Sequence, residues 1–175
     1  MAGAVLRTLW AVALVGALSG PAAADGVQPI TRPDGPTPTG QFVWNDGSKD
    51  HTLSLAALEE ALPMVQVTTA SHYSDEVETF QGVLLRDLVA HLGAEGADGL
   101  EVRATDAYVA TVPRADWSNW DVVLATRQDG QPILPRKRGP ARIVYPLDGN
   151  PELNTNDYAA RGVWLISRIT AVRSN

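Results

Sequence analysis

The 175-residue chain contains no cysteine, and this absence removes three kinds of chemistry. Disulfides, thiolate nucleophiles and thiolate metal ligands all require a cysteine sulfur. The fold must therefore be held by an apolar core, which a single domain of about 150 residues is large enough to form. Histidine is also scarce: His51, His72 and His91 lack metal-ligand spacing, so the pattern gives little support for a zinc site or a serine–histidine triad.

The sequence also lacks a hydrophobic run long enough to cross a bilayer, which needs roughly 20 apolar residues. The longest run, Leu9 to Leu18, has ten residues, with Arg7 before it and Ala22-Ala23-Ala24 after it. This is the pattern of a secretory signal peptide, so we expect residues 1–24 to be removed and the mature protein to be periplasmic. The alternative, a buried N-terminal helix, is disfavoured by Gly20-Pro21.

Basic residues are few compared with acidic ones. The chain has 14 lysines and arginines and 20 aspartates and glutamates, a formal net charge of −6. Loss of Arg7 with the signal peptide leaves 13 basic side chains and a net charge of −7. Surfaces that bind phosphate backbones are usually basic, so we do not expect a nucleic-acid partner.

Proline, glycine and turn motifs divide the rest of the chain into short elements. Residues 25–40 contain four prolines and three glycines, and we expect an extended N-terminal arm before a domain at 41–175. Apolar periodicity predicts one helix that starts after Ser54 and is stopped by Pro63, and a second that is closed by Gly93. Period-2 patterns or short β-rich runs predict strands at 41–44, 64–70, 77–82, 100–104, 107–112, 121–126, 141–145 and 163–172.

Asp129-Gly130 is typical of a hairpin turn. Two or three short helices among many strands, without a βαβ rhythm, predict an α+β fold: a single domain with a mixed sheet.

Aromatic, basic and acidic residues are dense near the C-terminus. The set comprises Arg142, Tyr145, Asp148, Glu152, Asp157, Tyr158, Arg161 and Trp164. Rings that stack, carboxylates that accept and arginines that donate would suit a planar heterocycle. A surface strand–loop–strand with scattered ion pairs explains the same residue types equally well. We interpret Arg136-Lys137-Arg138 as a solvated loop cluster rather than a phosphate clamp.

Four motifs resemble, in order, those of the molybdopterin-binding fold of sulfite oxidases. They are Thr79–Leu88 (TFQGVLLRDL), Asp106–Tyr108 (DAY), Ala125–Gly130 (ATRQDG), and Gly139–Pro146 (GPARIVYP) followed by Tyr158–Leu165 (YAARGVWL). Together they span roughly Ser54 to Val172. The resemblance implies that fold and a cleft shaped for a pterin.

One departure from the family pattern concerns the metal. In sulfite oxidases a strand reading V-T-L-Q-C ends at the cysteine that ligates molybdenum, whereas Val67–Ser71 reads V-T-T-A-S and places Ser71 there. A hydroxyl is far less acidic than a thiol, so we expect a pterin and no metal. The resemblance is then to small periplasmic proteins that bind reduced pterins and report them to a membrane-bound cyclic-di-GMP enzyme.

These considerations predict a non-catalytic ligand site for a reduced pterin or a molybdopterin-like molecule. The expected contacts are Ser71, His72 and Tyr73 on one wall, Arg142, Tyr145, Arg161 and Trp164 on the other, and Asp106 and Tyr108 as further candidates. The expected protein partner is the periplasmic domain of a membrane signalling protein, and the chain itself is not expected to span the membrane. Two alternatives remain, a molybdenum-cofactor oxidoreductase and an interaction module without a ligand. Metal analysis separates the first from a pterin-binding protein, and ligand extraction separates the second.

Overall fold

The computed structural model describes residues 26–72 and 74–173, without the side chains of residues 74 and 75. The predicted signal peptide and Tyr73 lie outside these residues. The described chain forms eleven strands: β1 (Val27–Ile30), β2 (Gln41–Asn45), β3 (Asp50–Ser54), β4 (Met64–Ser71), β5 (Ser74–Leu84), β6 (Gly99–Ala104), β7 (Val109–Pro113), β8 (Val123–Gln128), β9 (Gln131–Pro132), β10 (Arg142–Val144) and β11 (Ile166–Val172). Its four α-helices are α1 (Leu55–Ala61), α2 (Leu85–His91), α3 (Arg114–Asn119) and α4 (Asn156–Arg161).

The strands form two sheets rather than one. The first has six strands in the order β1-β4-β5-β8-β10, with β9 beside β8, and every pairing in it is antiparallel. The second has five strands in the order β3-β2-β11-β6-β7. It is the mixed sheet, because β11 runs parallel to β2 and antiparallel to β6.

The main core lies between the two sheets. Strand residues on the facing sides, such as Phe42, Val102 and Leu124, pack with the apolar faces of α1 and α2. Alternation along β8 sends Leu124 into this core and Val123 and Ala125 to the other face of the six-stranded sheet. A second, smaller core forms there. Hydrophobic burial on both faces therefore fixes the position of β8, whose neighbour β10 carries Arg142 at one end.

The predicted strands and the two predicted helices are present, with bounds shifted by a few residues. Ser54 precedes α1 as expected, but its side chain makes no capping hydrogen bond. The hairpin at Asp129-Gly130 joins β8 to β9, and both residues have the positive φ values, 50° and 75°, of a type I′ turn. Within the described residues, no helix has the length and apolar character that crossing a bilayer requires.

Five of the described strands and α-helices are not in the prediction: β1, β3, β9, α3 and α4. The expectation of an extended arm at 25–40 needs correction, because Val27–Ile30 pairs with Met64–Val67 as an edge strand of the six-stranded sheet. The arm is held there by backbone hydrogen bonds that composition alone does not reveal.

Candidate functional site

The end of β4 carries the residue that the family pattern aligns with the metal-binding cysteine. Ser71 lies opposite Ser74 on β5, next to the turn of this hairpin. The hairpin is tied to the loop after β10: the Asp148 carboxylate accepts a hydrogen bond from the Ala70 amide at 3.4 Å, and the His72 ring donates from Nε2 to the Leu153 carbonyl at 2.8 Å. These contacts on both neighbours of Ser71 fix it beside the loop that follows β10.

A small cavity of about 20 Å³, which we call the inner cavity, lies between these elements. Four of the predicted contacts line it, namely Ser71, His72, Arg142 and Tyr145. The fold thus brings together residues more than 70 positions apart. The inner cavity alone is too small for a bicyclic ring, since ligand pockets usually measure roughly 300–1,000 Å³.

A larger concavity of about 400 Å³ adjoins the inner cavity and shares Ser71 and Arg142 with it. We call it the polar cleft. Its other wall residues are Glu76, Glu78, Gln128, Arg136, Lys137 and Arg138. Four basic side chains outnumber two acidic ones, so the cleft is electropositive on a chain whose net charge is −6. Gln128 donates to Glu78 at 2.7 Å, which orders one wall.

The basic run 136–138 is exposed, in agreement with our interpretation of it as a solvated cluster, and it also lines the polar cleft. A short 3-10 turn at Pro135–Lys137 and a left-handed Arg138, with φ 67°, direct the run to the cleft. Gly139 makes the turn possible, because a Cβ there would lie 2.1 Å from the Ile133 carbonyl oxygen. The sequence signal was three cations between prolines, which does not distinguish a folded turn from a loop.

Arg142 is the most buried basic residue of the cleft. Its side chain comes from β10, is 7% exposed, and places its guanidinium 4.6 Å from the centroid of the Phe80 ring. This cation–π contact holds the guanidinium at the junction of the inner cavity and the polar cleft.

Arg161 and Tyr145 meet at a buried carboxylate, Asp116 of α3, which the sequence did not indicate. The Tyr145 hydroxyl donates to Asp116 at 2.7 Å, and Arg161 Nη1 lies 3.2 Å from both carboxylate oxygens. Burial and this hydrogen bond keep the pKa of Tyr145 well above its ordinary value, so its phenol remains a donor. The Tyr145 ring also meets Tyr158 edge-on at 5.3 Å. Arg161 lines neither the inner cavity nor the polar cleft.

The remaining predicted contacts, Asp106, Tyr108 and Trp164, line a separate pocket of about 160 Å³. We call it the Tyr108–Trp164 pocket. It shares Gly162 with the inner cavity. The Arg138 guanidinium stacks 4.7 Å from the centroid of the Trp164 ring, so one residue of the polar cleft also contacts a wall of this pocket. Seven of the nine predicted contacts thus fall into two groups, four at the inner cavity and three at this pocket, and Gly162 lines both.

A cavity of about 620 Å³ lies elsewhere, between the arm, β2 and the segment after β9. No charged side chain lines it, and its walls are mainly aliphatic and proline residues. Hydroxyl and amide side chains such as those of Gln41, Thr52 and Ser167 could form hydrogen bonds there, but the cavity has no carboxylate, histidine or cation for acid–base chemistry.

Comparison with known proteins agrees with the geometry. Residues 42–148 match the model of a family described as the oxidoreductase molybdopterin binding domain. This match covers more than half of the chain, and the chain belongs to that family. It is a molybdopterin-binding domain of oxidoreductase type, as the sequence motifs predicted. Comparison with curated protein sequences gives no significant match.

Among solved structures, the fold resembles the sulfane dehydrogenase SoxCD from Paracoccus pantotrophus, with a TM-score of 0.57. The identity is 17%, and the alignment covers 77% of this chain but 38% of the SoxCD chain. At this identity the likeness concerns the fold alone. It confirms the predicted α+β molybdopterin-binding fold of the sulfite oxidase type.

The donor set fits a pterin better than a molybdenum ion. The chain has no thiolate, and Ser71 offers only a weakly acidic hydroxyl at the aligned position. Nowhere in residues 26–72 and 74–173 do three or more histidine or carboxylate side chains cluster closely enough to hold a metal. The polar cleft, by contrast, contains both hydrogen-bond donors and acceptors.

Proposed function

We propose that the chain binds a pterin in the polar cleft without catalysing a reaction. The observation that carries this proposal is the convergence of Ser71 and Arg142 with a wall of donors and acceptors at one cleft. Ser71 stands where the resemblance places the thiolate. A site that keeps the contacts for a heterocycle but lacks the metal ligand suits binding rather than oxygen-atom transfer.

The groups of the polar cleft are complementary to those of a pterin. The amino-pyrimidine edge of a pterin donates hydrogen bonds, which Glu76 and Glu78 can accept. The carbonyl oxygen of the pterin accepts hydrogen bonds, and the Arg138 and Arg142 guanidinium groups of the cleft can donate them. The cleft volume of about 400 Å³ is within the usual range for a small-molecule site.

We further infer a sensing role in the periplasm. The signal-peptide pattern of residues 1–24 supports export, and the resemblance to small pterin-binding periplasmic proteins supports the role. In this proposal the reduced pterin is sensed or presented to the periplasmic domain of a membrane-bound cyclic-di-GMP signalling enzyme. Neither the partner nor the signal follows from the fold, and each rests on that resemblance.

Calorimetric titration of a tetrahydropterin into wild type and Arg142→Met tests the proposed site. Methionine retains an apolar stem against Phe80 but removes the guanidinium. Loss of a charge-assisted hydrogen bond costs about 1.5–3 kcal/mol, so the dissociation constant should rise about ten- to a hundredfold. Guanine, which has the same amino-pyrimidine edge but a different second ring, should bind more weakly than the pterin to wild type.

Arg86→Met is the matched control, since Arg86 pairs with Asp121 and does not line the cleft. This variant should bind like wild type. Arg138→Met changes an exposed residue of the cleft, and it replaces Arg142→Met as the test variant if Arg142→Met lowers the melting temperature. Unchanged pterin affinity in both cleft variants would place the ligand elsewhere.

The competing function is that of a molybdenum-cofactor oxidoreductase, which the description of the family favours. It requires molybdenum bound in stoichiometric amount and turnover of a substrate. Metal content therefore decides between the two functions.

A further inference from the structure

The Tyr108–Trp164 pocket has a chemistry different from that of the polar cleft. Its floor and sides are apolar and come from Ala104, Ala159, Ala160 and Val163. Two aromatic rings and one carboxylate, that of Asp106, complete it. A pterin placed here would leave most of its polar atoms facing hydrocarbon, which costs free energy for every unpaired group.

The aromatic wall is held in place before any ligand arrives. The Tyr108 hydroxyl donates to the Ala160 carbonyl at 2.8 Å, and the Tyr108 amide donates to Asp106 at 3.1 Å. Tyr108 nevertheless remains 47% exposed. A large aromatic ring that is both fixed and exposed is typical of residues that anchor a binding partner.

Backbone strain is concentrated around the same pocket. Four described residues other than glycine have positive φ, and three of them, Ala107 (70°), Arg138 (67°) and Leu165 (55°), lie in the turns around the pocket. Hydrogen bonds join these turns: the Leu165 amide donates to the Arg138 carbonyl at 3.2 Å, and the Leu165 carbonyl accepts from Thr105 at 2.9 Å. Such conformations are unfavourable for residues with a side chain, and they cluster at functional sites.

From the cavity and its chemistry we propose that the Tyr108–Trp164 pocket is a docking socket for a basic side chain of a partner protein. The alkyl stem of an arginine or lysine suits the alanine and valine walls. Its cationic head is attracted by the face of Tyr108 and by the Asp106 carboxylate, whereas the Arg138 guanidinium already lies over the Trp164 ring, whose edge can contact the alkyl stem. The net charge of −6 attracts a basic partner at longer range.

The surroundings favour a polypeptide over a free small cation. Val109, the residue after Tyr108, is 37% exposed and begins β7, which is an edge strand of the five-stranded sheet. A partner chain would cover this apolar rim together with the pocket, whereas a small amine would leave it in water. The docking surface therefore comprises Asp106, Tyr108, Val109 and Trp164.

Three probes, two blocked tripeptides and one small amine, test the proposal in a titration followed by NMR shifts of the Tyr108 and Trp164 side chains. The peptide acetyl-Val-Arg-Val-amide carries the cation and apolar neighbours, acetyl-Val-citrulline-Val-amide is its neutral isostere, and agmatine is the free guanidinium compound. We expect the arginine peptide to bind about fivefold or more tightly than the other two, because only it supplies both charge and apolar cover.

Asp106→Asn should weaken the arginine peptide about fivefold or more, since it keeps the acceptor for the Tyr108 amide but loses the charge. Asp121→Asn is the control and should bind like wild type, because Asp121 pairs with Arg86 and does not line the pocket. Equal binding of the arginine and citrulline peptides, or an unaffected Asp106→Asn, would overturn the proposal. Tighter binding of agmatine than of the peptide would overturn the protein partner in favour of a small cation.

The proposed pterin site is tested separately by a pterin titration of the same Asp106→Asn variant. We expect that affinity to be unchanged, because Asp106 does not line the polar cleft. A strong loss of pterin affinity in Asp106→Asn would mean that the pocket holds the pterin and would overturn the docking assignment.

Discussion

At the scale of single residues, the structure separates two arginines that the sequence grouped together. Arg142 reaches the junction of the inner cavity and the polar cleft, whereas Arg161 turns away to the buried carboxylate of Asp116. Arg142 lies in the motif GPARIVYP and Arg161 in the motif YAARGVWL. Residue type and sequence position therefore do not show which of the two arginines reaches the ligand site. Asp116, a single acidic residue 26 positions upstream of Arg142, decides the difference. We therefore assign Arg161 to the scaffold.

Arg161→Ala should accordingly destabilise the protein while leaving the ligand site intact. It removes the cation beside a carboxylate that is only 3% exposed, and we expect a loss of about 2–4 kcal/mol in unfolding free energy. The tetrahydropterin dissociation constant should change by less than about threefold. Denaturant unfolding and calorimetric titration measure the two effects.

Arg161→Lys should recover part of the stability, because an ammonium restores the charge but not the planar fork. The control is Arg103→Ala, which breaks an exposed pair with Glu101 and should cost less than about 1 kcal/mol. If Arg161→Ala has normal stability but a large loss of pterin affinity, the assignment to the scaffold is wrong and Arg161 contacts the ligand.

At the scale of elements, a buried ion pair attaches α1 to the six-stranded sheet. Glu59 accepts from Arg127 Nε and Nη2 at 2.9–3.1 Å and from the Thr126 hydroxyl at 2.6 Å, and both charged side chains are almost fully buried. Helix propensity does not explain this attachment. It depends on one carboxylate of a seven-residue helix meeting one guanidinium of β8.

Glu59→Leu should lower the unfolding free energy by about 3–5 kcal/mol, because Arg127 is left as a buried charge without its counterion. The double variant Glu59→Leu/Arg127→Met should be more stable than Glu59→Leu alone, since it removes both charges. Glu60→Leu, the next residue, breaks an exposed pair with Arg32 and should cost less than about 1 kcal/mol. Additive losses in the double variant would contradict a direct interaction.

The elements that the sequence predicted are those whose pattern reflects burial on one or two faces. The strand at 64–70 and the helix after Leu84 repeat apolar residues at their structural periods. The missed helices α3 and α4 have six residues each, which is too short to show a helical period. The missed strand β1 is an edge strand defined by its partner β4, and its composition, with Pro29, resembles an arm.

The same limit applies to the candidate site. The motifs identified Ser71, Arg142, Tyr108 and Trp164, but no local pattern shows that two cavities separate them. That division depends on the position of Gly162 between the cavities and on the turn at 135–138. Glu78 and Gln128 face the cleft because β5 and β8 pair in register, which is a tertiary property.

At the scale of the whole molecule, the absence of cysteine underlies the proposal that this chain binds a pterin without molybdenum. We expect the purified mature protein to contain far less than one molybdenum atom per chain, even from a host supplied with molybdate. Elemental analysis checks this, with a cysteine-ligated molybdenum enzyme from the same host as the positive control. Stoichiometric molybdenum together with turnover of sulfite or a sulfoxide would establish the oxidoreductase instead.

The position of β11 has a consequence for how the chain acquires its structure. This strand lies between β2 and β6 in the five-stranded sheet, and Arg168 pairs with Val43, far away in the sequence. Without residues 166–172, β2 and β6 have no common neighbour. The five-stranded sheet is then divided into two hairpins, β2 with β3 and β6 with β7. Contacts of such long range also form slowly, because loop closure costs entropy before any contact is gained. We therefore expect the five-stranded sheet to be completed only after β11 has been synthesised, late in the growth of the chain.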